Sequence, residues 1–318
     1  MRVARGLAGV VGVLLLSAGG ELRADPGHEV SIAELSAQIE KTPEIPELYY
    51  QRAVNYREIG KVAEARADFA KALMLGPGFL PAGRELARMD AEEGKRAEGI
   101  ERLKKMLAGA PVEAAFHVPG CCAALADLLL KEGRNEEALA AAAKGIEASE
   151  EISIDLYLFR AEAQRRLGKH EDRVRDLADA AEKLKSIVLR IAWIEALIDA
   201  GRTTEVLPEI EGEIATCRFQ AAWRIRRARA LLKVPRKEEA MEELARALVE
   251  IEARLRPERP DLTLLCERAL IYALTGRRAE AEAGLAEARE RGADGWMTRN
   301  LEAALAGAGE KLKIENGK

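Results

Sequence analysis

The chain has 318 residues, of which 58 are alanine, 40 are leucine and 50 are lysine or arginine. This composition favours helices, because these side chains lose little conformational freedom in a helix, and an aromatic content of 4% argues against a β-sandwich or β-barrel. A net charge of −4 with no concentrated basic face gives no basis for nucleic-acid binding. Three histidines and four cysteines are too few and too scattered for most zinc sites.

Residues 1–24 are predicted to be an export signal. Arg2 and Arg5 precede an apolar run over residues 7–18, which is followed by small residues. This run is shorter than the roughly 20 apolar residues that a membrane-spanning helix needs. We therefore expect a periplasmic or secreted protein. In the alternative, an uncleaved signal anchors the chain, and a membrane is expected to be involved only in that case.

Residues 25–45 are predicted to form an N-terminal capping helix. Ser31 and Glu34 have the spacing of a capping box, in which the two side chains bond reciprocally to backbone N–H groups at a helix start. The pattern therefore predicts a helix that begins at Ser31 and ends near Lys41.

A pattern with a period of about 34 residues begins at Pro46. Aromatic residues and alanines recur at fixed positions through two predicted helices. A glycine lies between the two helices, and a proline follows the second one. The positions are Tyr49, Ala53, Tyr56, Gly60, Ala65, Phe69, Ala72 and Pro77. This segment resembles the tetratricopeptide repeat family.

Six further copies follow, so that the resemblance covers residues 46–293. Their turn positions, where a left-handed C-cap favours glycine, are Gly94, Gly133, Gly168, Gly201, Pro235 and Gly276. The resemblance implies an all-α, right-handed superhelical solenoid of about seven helix pairs, which stack because one pair alone cannot bury its apolar face.

Two further details concern the second copy and the C-terminal end. Gly99 is expected to weaken the second helix of its copy. Residues 294–318 are predicted to form a C-terminal capping helix and tail, in which Trp296 and Leu301 cover the last repeat.

The resemblance also implies that the first helix of each pair lines a concave groove that binds a protein or peptide. Arginines in its N-terminal half suggest an acidic or carboxylate-bearing peptide, although arginines on a helix face are also commonly just solvated. The predicted groove residues are Tyr50, Val54, Arg57, Arg84, Arg88, Asp127, Leu158, Glu162, Arg165, Ile191, Glu195, Ile225 and Arg229.

Four repeats carry an arginine directly before the small residue of the first helix. In three of them, an acid follows 16 residues later, which predicts an ion pair within the repeat. The alternative is a ladder of ligand-binding arginines. The positions are Arg52 with Asp68, Arg160 with Asp176, Arg227 with Glu243, and Arg268, which has Gly284 in place of the acid and is therefore the candidate for a functional role.

His117, Cys121 and Cys122 form a compact cluster. Adjacent cysteines on a helix point in different directions and cannot readily bridge each other, so we predict that they pack in the core. The alternative is a thiol or metal protein that uses these three residues.

No catalytic motif is recognisable in the sequence. We therefore predict no catalytic residues, no metal, no cofactor and no small-molecule substrate. The predicted function is a non-catalytic scaffold for protein–protein interaction. The second alternative is a self-assembling structural protein.

Overall fold

The computed structural model describes residues 26–149, 153–256 and 258–316, and all regular structure within them is helical. The predicted export signal, residues 1–24, lies outside the described residues. There are sixteen α-helices and one short 3-10 helix in the described ranges. They are α1 (Pro26–Lys41), α2 (Pro46–Glu58), α3 (Val62–Leu75), α4 (Leu80–Glu92), α5 (Arg96–Ala108), the 3-10 helix (Val112–His117), α6 (Val118–Lys131), α7 (Asn135–Glu147), α8 (Ile154–Arg166), α9 (His170–Leu184), α10 (Ile187–Asp199), α11 (Thr203–Thr216), α12 (Ala221–Leu231), α13 (Lys237–Arg254), α14 (Leu262–Leu274), α15 (Arg278–Glu290) and α16 (Gly295–Asn316).

The chain divides into two compact units, Met1–Leu128 and Leu129–Lys318, with the boundary inside α6. We call them unit 1 and unit 2. In unit 1, Phe69 and Met89 belong to the buried core. In unit 2, Leu197 and Leu244 belong to two successive core clusters.

Helices α2 to α15 follow the seven predicted repeats in chain order, two helices to each repeat, and a glycine follows the first helix of six of these repeats. Gly60, Gly94, Gly133, Gly168, Gly201 and Gly276 have φ angles between 70° and 81°. A side chain at such an angle would be strained, which explains why glycine recurs there. The predicted left-handed caps are confirmed. At Pro235 there is instead a longer turn, between the end of α12 at Leu231 and the start of α13 at Lys237.

The small residues of the repeat pattern lie in the interior between helices. Ala53, Ala161 and Ala269 are all buried, as the pattern predicts. Gly99 has a packing role rather than being a weakness of α5, because a Cβ atom there would lie 2.5 Å from the carbonyl oxygen of Ala87 in α4. The all-α solenoid fold class predicted from the sequence is confirmed.

The two end helices differ in detail from the prediction. Helix α1 begins at Pro26, and the Ser31 hydroxyl donates to the carbonyl oxygen of Gly27 inside this helix. The predicted capping box at Ser31 is therefore wrong. In α16, Leu301 is buried as expected, whereas Trp296 is 50% exposed.

One helical segment, Val112–Lys131, is apolar and long enough to cross a membrane by length and composition. Cys121, Ala126 and Leu129 within it are buried. Burial of this kind is also typical of a core helix in a soluble protein.

Candidate functional site

Unit 2 contains a cavity of about 350 Å³ between the first helices of four successive pairs and α16. We call it the inner cavity. Helix α9 contributes Arg173, and every other lining residue comes from α8, α10, α12, α14 or α16. The lining residues are Leu158, Ala161, Glu162, Arg173, Val188, Ile191, Ala192, Glu195, Ala222, Ile225, Arg226, Arg229, Thr263, Cys266, Glu267, Leu270, Trp296, Met297, Arg299, Asn300 and Leu301.

The inner cavity follows from the repeat period. Residues 33 or 34 positions apart occupy equivalent places on successive first helices, so that they share one face. Six of the predicted groove residues are thereby brought together: Leu158, Glu162, Ile191, Glu195, Ile225 and Arg229. Whether they bind a partner stays a prediction.

The apolar part of the inner cavity is open to solvent at several large side chains. Val188 is 47% exposed, Trp296 is 50% exposed and Met297 is 36% exposed. Trp296 and Met297 lie in the first turn of α16, where their backbone N–H groups donate to the Asp294 carboxylate at 3.0 and 2.9 Å. This cap fixes the start of α16 and places both side chains at the cavity.

Glu195 is buried in the inner cavity and holds two arginines of α12. Arg229 donates to its carboxylate at 2.6 Å, and Arg226 Nε lies 2.9 Å from the other oxygen. Burial raises the pKa of Glu195, but the charges of Arg229 and Arg226 and the hydrogen bond from Arg229 lower it to about 2. The group is therefore a fixed carboxylate at neutral pH.

Glu162 is the equivalent residue of α8, and it accepts from three arginines. Arg165 donates at 2.7 and 2.9 Å, Arg166 at 2.7 Å and Arg299 of α16 at 3.2 Å. Burial raises the pKa of Glu162, but hydrogen bonds from Arg165 and Arg166 and the charges of Arg165 and Arg299 lower it to about 2. The contact with Arg299 connects the C-terminal helix α16 with α8.

Arg299 was not predicted from the sequence as a site residue. Burial lowers the pKa of its guanidinium, against the charges of Glu162 and Glu195. The guanidinium also lies over the Trp296 ring, 4.7 Å from its centroid. Its position in α16, outside the repeat pattern, gives no periodic signal from which this contact could be found.

Glu267 of α14 lines the inner cavity without a partner. Among the described residues, none forms a hydrogen bond or an ion pair with its carboxyl group. Burial raises the pKa of Glu267 to about 7, against the opposing charges of Arg226 and Arg254. The repeat pattern gave no indication of this residue.

A second, more open cavity of about 540 Å³ adjoins the first and shares Arg229, Leu270, Arg299 and Asn300 with it. The predicted groove residue Arg165 lines this second cavity and not the inner one.

In unit 1, the predicted groove arginines converge on one buried carboxylate, Glu85. Arg57 lies 2.8 Å from it, Arg84 3.0 Å and Arg88 3.5 Å. Arg57 also pairs with Glu92 at 2.8 Å. These arginines therefore have partners within the chain, and the preference for an acidic peptide stays a prediction.

The other predicted groove residues of unit 1 differ in exposure. The Tyr50 ring packs against Phe69 and Phe79, with centroids 5.6 Å apart in both cases, and is half-buried. Val54 is 37% exposed. Asp127 is half-buried in α6.

The arginines before the small residues form the ion pairs that their spacing predicts. Arg52 binds Asp68 at 2.6 and 2.9 Å through two parallel hydrogen bonds. The Arg160–Asp176 and Arg227–Glu243 distances are 3.4 and 3.1 Å. The structural interpretation is confirmed for these three pairs. Arg268, which has Gly284 in place of the acid 16 residues on, lies 3.5 Å from Glu287.

The cysteine and histidine cluster lacks the features of a reactive site. Cys121 and Cys122 are fully buried. Burial raises the pKa of the Cys121 thiol to about 11, which disfavours the reactive thiolate. Within the described ranges, no group of three or more His, Cys, Asp or Glu side chains could hold a metal ion. The burial of both thiols and the raised pKa of Cys121 argue against the thiol alternative.

Residues 46–78 match the family model described as tetratricopeptide repeat. A comparison with curated proteins finds no significant match. A tetratricopeptide repeat protein from Parabacteroides merdae ATCC 43184 is 18% identical with a TM-score of 0.58, over 87% of this chain and 99% of that one. Yeast Tom70 is 17% identical with a TM-score of 0.50, over 92% of this chain and 60% of that one. The family-model match is therefore limited to residues 46–78, and the likeness to these solved structures concerns the fold of the chain.

Proposed function

We propose that this protein is a non-catalytic scaffold for protein–protein interaction and that the inner cavity binds an extended or helical segment of a partner. The observation that carries the proposal is the exposure of Val188, Trp296 and Met297 around a cavity built from equivalent faces of successive repeats. Tetratricopeptide repeat proteins are generally non-catalytic scaffolds, which agrees with this function.

The inner cavity suits an apolar anchor. Exposed aromatic and methionine side chains are enriched where proteins bind each other, because they offer large contact areas. Apart from Glu267, the charged groups that line the inner cavity, such as Glu195 with Arg226 and Arg229, are already paired and held in place. A partner therefore meets a surface with little left to order, which lowers the free-energy cost of binding.

The proposed location is outside the cytosol, after removal of residues 1–24. It is supported by the charged and apolar pattern of that segment. Fractionation of the native cells together with N-terminal sequencing of the mature chain tests it. An intact Met1 in a cytosolic fraction would refute it.

The binding proposal is tested with random twelve-residue peptides displayed on phage and selected on the full chain. Val188→Glu places a charge in the apolar part of the inner cavity, and we expect it to weaken the binding of selected peptides by tenfold or more. Val249→Glu is the matched control, because Val249 is 69% exposed on α13 and does not line the cavity.

Unchanged affinity for the Val188→Glu variant, with helix content retained in circular dichroism, would refute the assignment of the inner cavity. The paired change Arg84→Glu and Arg88→Glu tests the predicted groove of unit 1 in the same way. Light scattering over a dilution series distinguishes a scaffold that binds as a monomer from a self-assembling protein.

A further inference from the structure

All charged side chains that line the inner cavity, except one, are paired within the chain. Glu162 binds Arg299, and Glu195 binds both Arg226 and Arg229. The remaining lining arginine, Arg173, donates to Asp199 at 2.7 Å. Among the described residues, Glu267 is the charged lining residue that has no such partner.

The cations around Glu267 are already engaged elsewhere. Arg226 of α12 is held by Glu195. Arg254 of α13 lies 3.3 Å from Glu250, and its guanidinium stacks over the Phe219 ring at 4.0 Å.

The nearby acids are engaged too. Asp261 accepts the backbone N–H group of Thr263 at 2.8 Å, and Glu250 accepts that of Gln220 at 3.0 and 3.1 Å. The structure therefore leaves the Glu267 carboxylate half-buried and without an ion pair, so that a cationic group bound beside it would stabilise its charged form.

The charges and apolar residues around Glu267 favour a cationic group over an anion as the bound group. An anion would meet an unpaired carboxylate and arginines that already hold other acids. A lysine or arginine side chain has an apolar stem and a charged head, and both parts find a complement here. The stem can contact apolar lining residues such as Ile225, Leu270 and Met297, and the head can pair with Glu267.

We propose that the inner cavity receives a lysine or arginine side chain of the partner segment and that the cationic head pairs with the Glu267 carboxylate. This inference rests on the proposed function, since it names the chemistry of the segment that the scaffold binds. The raised pKa of Glu267 agrees with a carboxylate that lacks a cation in the free protein.

The test is a double-mutant cycle on the full chain. Peptides selected on phage, whose binding is lost in Val188→Glu, are sequenced and synthesised, and their affinities are measured by calorimetry. We expect a basic residue next to an apolar one in these peptides. Replacing that basic residue by norleucine is expected to weaken binding to the wild-type chain at least tenfold, and less than twofold to the Glu267→Gln variant.

Glu238→Gln is the control, since Glu238 is exposed on α13 and does not line the inner cavity. It is expected to retain the wild-type preference for the basic peptide. Selected peptides that depend on Val188 but carry an acidic residue or no basic one would overturn the inference. Equal norleucine effects in wild type and Glu267→Gln would overturn it too. In both results the proposed function stands, whereas it fails if no selected peptide depends on Val188.

Discussion

Arg299 and Glu162 form an ion pair although 137 residues separate them in the sequence. The pair joins α16 to α8, the first and last of the helices whose residues line the inner cavity. Helix α16 is therefore a wall of the candidate site as well as the C-terminal cap that the sequence predicts.

We expect Arg299→Met to loosen α16. Glu162 keeps Arg165 and Arg166, so the loss should be about 1–2 kcal/mol of unfolding free energy, less than for a carboxylate left without any partner. Hydrogen–deuterium exchange over residues 295–307 is expected to accelerate. The control is Arg289→Met, whose exposed pair with Glu302 at 2.9 Å should contribute less than about 1 kcal/mol. Equal exchange in both variants would contradict this role of Arg299.

The paired carboxylate Glu195 predicts a loss of stability in acid. Its pKa is about 2 in the folded chain and near its ordinary value of 4.5 when unfolded. The unfolded chain therefore binds more protons between these values, so the stabilisation is complete above about pH 4.5 and disappears as the pH falls towards 2.

Urea unfolding at several pH values from 7 to 3 measures the effect. Glu195→Gln is expected to be less stable than wild type at pH 7, with a difference that shrinks as the pH falls. Glu238→Gln should parallel wild type throughout. A constant difference for Glu195→Gln would show that the carboxylate does not titrate as described.

The raised pKa of Glu267 predicts the opposite dependence of stability on pH. Its pKa is raised to about 7 in the folded chain, so the folded chain binds more protons than the unfolded chain between about pH 4.5 and 7. Stability from this group is therefore lost as the pH rises through that range. Thermal unfolding is expected to show Glu267→Gln as more stable than wild type above pH 7 and similar at pH 4.5. A variant that is less stable at pH 8 would contradict the absence of a partner for Glu267.

Two glycines in helix interiors should respond oppositely to alanine. Gly99→Ala is expected to destabilise the chain by about 1–3 kcal/mol, because the added Cβ atom meets the backbone of Ala87 at 2.5 Å. Gly212→Ala in α11 meets no atom within 4 Å and should stabilise the chain by about 0.5–1 kcal/mol through helix propensity. Urea unfolding measures both changes, and a shared sign would contradict the packing described for α4 and α5.

The thiols should differ in reactivity. Cys121 and Cys122 are buried, whereas Cys217 is only half-buried. We expect a thiol reagent at pH 8 to label Cys217 first and to reach Cys121 and Cys122 only as the chain unfolds. Mass spectrometry of the labelled peptides identifies the sites. Rapid labelling of Cys121 in the folded chain would revive the thiol alternative.

The sequence predicts the helix pairs well because their determinants are local. Glycine is favoured at Gly60 because of the positive φ angle of that one residue. A small residue is favoured at Ala53 because the next helix in the chain, α3, packs against α2. The Ser31 prediction was wrong because Ser-x-x-Glu also occurs inside helices, and here the helix begins earlier, at Pro26.

The charged part of the inner cavity was only partly predictable. The period places Glu162 and Glu195 on equivalent faces, but it does not reveal which arginines hold them. Arg299 contacts Glu162 across 137 residues of sequence, and no spacing in the sequence encodes such a contact. Glu267 likewise has no ion pair because the neighbouring cations Arg226 and Arg254 pair with Glu195 and Glu250, which the sequence does not reveal.

The segment between α12 and α14 is longer than the one between α10 and α12, yet all three helices line the inner cavity at equivalent positions. Ile191 and Ile225 are 34 residues apart, whereas Ile225 and Cys266 are 41 apart, yet all three line the same cavity. The additional residues lie in α13 and the linker after it, and none of the described residues of these two segments lines the cavity. This connection can therefore be longer than the preceding one, and can offer additional surface, while the residues that line the inner cavity keep their equivalent places.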